Sequence, residues 1–465
     1  MSVTDFKRTF TLKQQTPMIH FQSNEEGATL RASEVKPKLD RFLLTCLGGA
    51  DLGGADLGGA DLGGGGFDVD DYIKGVEEAR RRKWLVGDGE HPALNYKMRF
   101  IAHGTPEKSD EIEAAIRSIE TRPRVRPKIP VGSSYFGNMA QFDRNDTPEQ
   151  KKEKIMAAYK ETVFYKQDTP FKPNNPEAAK LSMVIFCYNA ELLDMIDKHV
   201  AGFFLLHNFG TRQNKGFGSF TVTHRDSVEL RYRVDDEISA YFPRTFYYTE
   251  RQIDSLACVN GLYRLLKSGV NQRGEPYRRS FLYEYLHNMK QPIGNEKAWM
   301  KQNGIAPVRG KDVNLSKHEN KRQGHLRDFR YVRAMLGLCD NVSYLEKVDP
   351  VTGVSDPKYR TTVRIAHCDK IIERYASPIT FKVIESHIYI LPYPVNKQML
   401  KQRFHFKSKS GSGDIKTPDV FDIDALMLAF EDYVNRINKS DELSRPRSIT
   451  PLRGKLSHRH RGVNT

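Results

Sequence analysis

The sequence lacks what a membrane, a secretory route or a structural metal would require. No apolar run approaches the roughly 20 residues needed to span a bilayer, and the opening M-S-V-T-D-F-K-R-T-F holds no continuous apolar core of the signal-peptide type. Five cysteines occur in 465 residues, and Cys46, Cys187, Cys258, Cys339 and Cys368 lie far apart. None is half of a C-x-x-C pair or has a histidine at zinc-ligand spacing, so they read as reduced, mostly buried thiols of a cytoplasmic protein that calls for no metal and no cofactor. Both common phosphate loops are absent too, since neither G-x-G-x-x-G after a strand nor G-x-x-x-x-G-K-[ST] occurs. No Ser-His-Asp order or paired-carboxylate spacing stands out. Acidic residues are in deficit, with 58 Asp and Glu against 73 Lys and Arg and a formal charge of +15. That excess favours a polyanionic partner and says nothing of the fold.

The length exceeds what one hydrophobic core supports, which predicts two domains. An opening strand spans Thr9 to Gln22 and breaks at Pro17. A helix follows, capped by Ser33, with Val35, Leu39, Phe42 and Leu43 at helical spacing and Pro37 near its first turn. Lys38 and Arg41 share one face of it. Residues 47–66 then repeat G-G-A-D-L. Three copies are too few for a pentapeptide coil, and the tract reads as a flexible insertion. A helix with the cluster A-R-R-R-K-W, a strand from Leu94 and a cationic extended stretch with Arg122, Arg124, Arg126 and Lys128 come next. Further on, a helix from Pro148, a strand from Leu181 and a helix from Ala190 lead to a strand over Ser219 to Thr223. The pattern predicts an α+β fold, β-α-β-β-α-β ferredoxin-like with insertions. It gives a first domain over 1–244, a second over 245–440 and a basic disordered tail over 441–465. Within the second domain a long helix is expected from Thr249 to Lys267, an amphipathic segment with Arg327, Arg330 and Arg333 on one face, a strand pair over Arg374 to Tyr393 and a closing helix from Val420.

The most informative stretch is Asn208 to Phe220, N-F-G-T-R-Q-N-K-G-F-G-S-F. Gly210, Gly216 and Gly218 surround Arg212, Gln213, Asn214 and Lys215. Glycines permit positive φ and close approach, so such a loop can aim N–H groups and cations at phosphate oxygens. The same pattern also suits a plain glycine-rich turn whose Phe217 and Phe220 pack into the core. Phe217 is accordingly either a base-stacking group or a core residue.

Three segments, Q-T-P-M-I-H-F with L-R-A-S-E-V-K-P-K-L-D-R-F, the loop F-G-T-R-Q-N-K-G-F-G-S-F, and R-Y-A-S-P-I-T-F-K, together resemble the RAMP proteins of type III CRISPR effector complexes. Their order is most similar to the Cmr-module subunit that caps the backbone filament. The resemblance implies two ferredoxin-like, RRM-like domains and a non-catalytic structural role in an antiviral ribonucleoprotein. Its partners would be CRISPR RNA, target RNA and other RAMP subunits, with no membrane. It also implies RNA contacts from Gly210 through Gly218, with Arg212 and Lys215 as the positive groups, and from Arg31, Ser33, Lys36 and Arg41 on the first helix; Lys38 joins them through its shared face with Arg41. Two other classes stay open. An endoribonuclease would use His20 or His207 as acid or base, or a loop aspartate such as Asp51, Asp56, Asp61, Asp143 or Asp146. A protein scaffold would touch RNA little and pair its arginine face with acidic neighbours.

Overall fold

The computed structural model describes residues 6–19, 29–49, 69–87, 92–102, 116–117, 119–121, 146–159, 162–163, 181–242, 244–249, 255–269, 279–288, 293–307, 328–345, 360–385, 387–441 and 455–460. The aspartates of the G-G-A-D-L repeat, the Arg122 to Lys128 stretch, His20, Asp143 and Arg327 lie outside the described residues. By contact clustering the chain forms two units: Met1–Gly261 with Thr380–Leu391 and Thr450–Thr465, and Leu262–Ile379 with Pro392–Ile449. Among the described residues no helix is long and apolar enough to cross a membrane.

In chain order the first half runs β1 Lys7–Gln14, α1 Ala32–Gly48, α2 Val69–Arg81, β2 Lys97–Ala102, α3 Pro148–Tyr159, β3 Leu181–Phe186, α4 Ala190–Leu206, β4 Phe220–Arg225, β5 Val228–Glu229 and α5 Val234–Ser239. The apolar positions of α1 do what their spacing predicts: Val35, Leu39, Phe42 and Leu43 are fully buried. Its start differs from expectation. Arg31, with extended φ −118°, holds the N-cap position, and Ser33 falls inside the first turn. Pro37 is then beyond that turn and removes one internal hydrogen bond. The far half of α1 meets α2 backbone to backbone. A Cβ on Gly48 would stand 1.8 Å from the Asp71 carbonyl oxygen, and one on Gly75 would stand 1.7 Å from that of Leu44.

The sheet order is β2-β3-β1-β4-β5, every pair antiparallel. Thus β1 lies between the third and fourth long strands, β1 and β2 are joined through α1 and α2, and β3 and β4 through α4. Strand alternation then sorts the faces. Phe10 and its partner Met183 are fully buried on the helix side, and Arg8 on that side reaches Asp197 of α4 at 3.5 Å.

The second half runs β6 Arg244–Thr249, α6 Ser255–Tyr263, α7 Phe281–His287, α8 Glu296–Gln302, β7 Asn341–Leu345, β8 Arg360–His367, β9 Ile379–Ile384, β10 His387–Pro392, β11 Arg403–Lys407, β12 Ser412–Lys416, α9 Ile423–Asp441 and β13 Lys455–His460. Thr249 therefore closes a strand and opens no helix. The first unit holds a second sheet of order β9-β10-β6-β13. The same permutation recurs: in chain order its strands are first, second, third and fourth, yet they stand second, third, first, fourth.

Two expectations fail here. The basic tail is not wholly disordered, because Lys455–His460 pairs with the whole of β6, Thr249 opposite Lys455 and Arg244 opposite His460. The cause is alternation within K-L-S-H-R-H, whose Leu456 is fully buried while its cations face outward. The arginine segment does not present one cationic face either. Phe329–Arg330 is a short strand and Val332–Leu336 a 3-10 turn, stopped by Gly337 at φ +102°. Arg333 pairs with the buried carboxylate of Glu296, and Arg330 with Asp328 at 2.7 Å and Asp419 at 3.2 Å, so neither presents the free cationic face expected of it.

In the second unit β7-β8-β11-β12 is an antiparallel meander. Its core gathers Met300, Tyr331, Met335, Val363, Phe404 and Phe406. Lys267 is part-buried against the 3-10 turn and donates to the carbonyls of Leu336 and Gly337, both at 2.8 Å; desolvation pushes its pKa down to about 8.

Leu456→Ala is expected to cost about 2–5 kcal/mol, the range for a large-to-small core change. Denaturant unfolding of the full chain checks this, and an unchanged midpoint would return the segment to a dispensable tail.

Candidate nucleic-acid interface

The glycine loop begins where α4 ends. Asn189 caps the start of that helix by accepting the Leu192 N–H at 2.9 Å, and the apolar run Phe203 to Leu206 is its last, buried turn. The chain then loops back, with Asn208 and Ser219 bridged and the Phe209 N–H donating to the Gly218 carbonyl at 3.0 Å. Four left-handed residues shape the loop: Gly210 at φ +80°, Arg212 at +57°, Gly216 at +80° and Gly218 at +67°. Only Gly218 is forced by contact as well, since a Cβ there would lie 1.9 Å from the Phe209 carbonyl oxygen.

Each of the segments that carried the family resemblance meets this loop. From the first, Thr16 donates its hydroxyl to the Gly216 carbonyl at 2.6 Å and accepts the Ser219 N–H at 3.0 Å, while Pro17 accepts the Gly218 N–H at 2.9 Å. From α1, Glu34 accepts the Gly210 N–H at 2.7 Å, and Lys38 donates to the side-chain oxygen of Gln213 at 2.9 Å and lies 3.5 Å from Glu34. From β9, the Phe381 carbonyl accepts from the Asn208 amide at 2.9 Å, Phe381 N–H donates to Asn214 at 3.2 Å, and the Val383 carbonyl accepts the Ser219 hydroxyl at 2.6 Å.

Lys382 closes the base of the loop. Its fully buried ammonium donates to the carbonyls of His207 at 2.8 Å and Phe220 at 3.1 Å. Desolvation pushes its pKa well below that of an ordinary lysine. Burial also pushes Lys38 down, opposed by the Glu34 charge. His207, part-buried and stacked on Phe203 at 4.6 Å, has its pKa pushed down to about 3, chiefly by desolvation and further by Lys38 and Lys382. Its Nδ1 faces the Phe203 carbonyl at 2.9 Å and must therefore donate. It is a neutral hydrogen-bonding group of the fold at neutral pH.

The expected contact residues thus fall into two sets. Arg212, Gln213, Asn214 and Lys215 are partly exposed at the tip, and Gly210, Gly216, Phe217 and Gly218 are buried below it. Phe217 is fully buried, which excludes base stacking in this structure and makes it a core residue. On α1, Lys36 is tied to Asp40 at 2.6 Å and the Leu94 carbonyl at 2.9 Å, and Arg41 lies over the Tyr72 ring at 5.0 Å. Arg31 is part-exposed at the N-cap position of α1. Asp146 is buried against Lys154 at 2.8 Å. Asn208, Glu34 and Lys382 are essential to the arrangement and were missed. Lys382 could have been noticed as the one charged residue inside the strand I-T-F-K-V-I.

Gly218→Ala is expected to cost about 2–4 kcal/mol through strain and overlap, whereas Gly87→Ala, at φ +75° with nothing within 4 Å, costs about 1 kcal/mol; denaturant titration compares them. For pH the sign follows from His207, neutral in the fold down to about pH 3 and protonated in the unfolded chain below about 6.5. The unfolded chain takes up the proton first, so stability is full above about pH 6.5 and falls as pH is lowered, by up to about 1.4 kcal/mol per pH unit. His199, pushed by burial to about 4, acts in the same direction. His207→Gln should therefore show a shallower fall of Tm between pH 6.5 and 4.5 than the native chain, and parallel curves would refute the neutral state.

Comparison with known proteins agrees with the motif order. The model of the Cmr1 N-terminal domain matches residues 5–270, and that of the Cmr1 C-terminal domain matches residues 277–453. No curated protein sequence matches the chain. Among solved structures, Cmr1 from Pyrococcus furiosus in its apo form is 10% identical over 97% of this chain and 98% of that one, with a TM-score of 0.35. A chain of the type III-B Cmr-beta complex bound to cognate target RNA is 11% identical over 84% of this chain and 94% of that one, with a TM-score of 0.37. Likenesses at that TM-score carry no argument, and the assignment rests on the two domain models. The chain belongs to the Cmr1 family, a RAMP subunit of the type III CRISPR Cmr module.

Proposed function

We propose that the chain is a non-catalytic structural subunit of a Cmr ribonucleoprotein that binds CRISPR RNA or its duplex with target RNA through the tip of the glycine loop. The observation that carries this reading is the convergence of Thr16, Glu34, Lys38, Phe381 and Lys382 on one loop. Internal bonds hold the loop, its tip included through Gln213 and Asn214, so the part-exposed Arg212 and Lys215 stand on a rigid base, as a phosphate grip needs. The +15 charge suits a polyanion. A grip on the backbone reads no bases and so accepts any guide sequence.

The strand orders support two ferredoxin-like folds. In each four-strand set the first strand is inserted between the third and fourth, the split β-α-β arrangement. A first fold over 1–244 and a second starting near 245 is consistent with the two strand sets, β13 being the last strand of the second, whereas contact clustering groups both sheets in one unit. The neutral, carbonyl-bound His207 favours binding over chemistry at this loop, and Asp146 is engaged by Lys154.

Arg212→Ala combined with Lys215→Ala is expected to weaken binding of single-stranded RNA and to lower the slope of log K against log salt by about 1.4, at about 0.7 per lost phosphate contact. Fluorescence anisotropy across a salt series measures both. An unchanged slope would remove the loop from the RNA interface. Guide and target RNA cleavage by the assembled complex that vanishes when His207 or Asp146 alone is replaced, with assembly intact, would overturn the non-catalytic reading.

A further inference from the structure

The end of β1 remote from the glycine loop carries an exposed aromatic cluster. The Tyr188 ring lies 4.9 Å from that of Phe186, edge-on at 86°, and 5.7 Å from that of Phe6. Tyr188 is 78% exposed, although its two neighbours hold it on one side. In the sheet, Phe186 stands directly between Lys7 of β1 and Lys97 of β2. Directly paired residues point to the same face, and Arg99, two positions along, shares it. This is the face opposite the helices, because Arg8, next to Lys7, turns the other way to Asp194 at 3.9 Å and Asp197 at 3.5 Å on α4.

Charge then identifies the occupant. Lys7, Lys97 and Arg99 are exposed and have no acidic partner among the described residues. The carboxylates that follow Tyr188 are already engaged: Glu191 by Arg82 at 3.3 Å, Asp194 by Arg8, and Asp197 by Arg8 and by Arg225 at 2.6 Å. A protein partner favours an apolar centre depleted of charge. An aromatic face rimmed by three unpaired cations instead matches a nucleotide, whose base stacks while its phosphates meet the cations. Stacking needs an unstacked base, which a single strand offers and a duplex does not.

We propose that Tyr188, backed by Phe186 and Phe6 and rimmed by Lys7, Lys97 and Arg99, is a stacking platform for an unpaired base of single-stranded RNA. It rests on the RNA-binding reading and adds a second contact to it. The two contacts lie at opposite ends of β1, where Lys7 pairs with Phe186 and Gln14 with Phe220, a span of about 24 Å at 3.4 Å per residue. RNA held at both would run along the first sheet.

The test uses the full chain, a fluorescent 12-nucleotide uridine RNA and the matching duplex. Tyr188→Ala is expected to lower single-strand affinity about 5- to 100-fold, with the salt slope unchanged and duplex affinity little affected. Tyr188→Trp restores affinity. The triple variant Lys7→Ala, Lys97→Ala, Arg99→Ala lowers the salt slope by about 2. A 4-thiouridine RNA cross-links to Tyr188 in the native chain. If the Arg212 and Lys215 variant loses binding while Tyr188→Ala and the triple variant do not, the platform is wrong and the loop reading stands. Loss in the platform variants alone supports the platform and moves the RNA site away from the loop. No effect in any variant sinks both. If Tyr188→Ala leaves RNA binding intact but abolishes association with other Cmr subunits, the surface is a protein interface and the platform is overturned.

Discussion

A single buried ammonium holds the functional loop in shape. Lys382 donates to carbonyls on either side of the thirteen-residue excursion between α4 and β4, so the ends of the loop are fixed to one point. Burying a cation is expensive unless its hydrogen bonds are met. Desolvation lowers its pKa, and its N–H groups meet the two carbonyl oxygens. The neutral state of His207, whose own carbonyl Lys382 takes, follows chiefly from burial, and Lys38 and Lys382 add to it. A second charge so close to Lys382 and Lys38 would be repelled in a site already stripped of water.

Most motif cations turn out to be internal fasteners. Lys36 serves Asp40, Lys38 serves Gln213 and Glu34, and Arg333 serves Glu296. Their conspicuous pattern in the sequence reflects the architecture they lock. Among the described residues, the exposed cations without an acidic partner include Lys7, Lys97 and Arg99 on the face of the first sheet opposite the helices, at positions that no sequence motif marks. The net charge suits the polyanionic partner proposed above, while these motif cations are committed to the fold.

The fold was legible where one periodicity dominates. The buried stripe of α1, the run of β3 and the strand pair β9 and β10 all follow from patterns within one element. The glycine loop was legible as a loop because Gly218 tolerates no side chain there. What could not be read was anything set by partners distant in sequence. Phe217 has the same neighbours in the sequence whether it packs or stacks, and only the enclosing elements decide. The arginine periodicity at Arg327, Arg330 and Arg333 mimicked a helix face, while Glu296, Asp328 and Asp419 drew two of those side chains elsewhere. The tail composition masked one buried leucine, and that leucine was enough to dock a strand.

That strand has a consequence for how the protein is made. Strand β6 is paired along its length by residues that follow it by more than two hundred positions. At 5–20 residues per second a ribosome needs roughly 10–40 s to deliver them. During that interval one edge of β6, with Phe246 and Tyr248, has no partner, the kind of open edge that invites pairing with another chain. The second sheet is a late-closing, high-contact-order structure, and β13 acts as a seal fitted more than two hundred residues after β6.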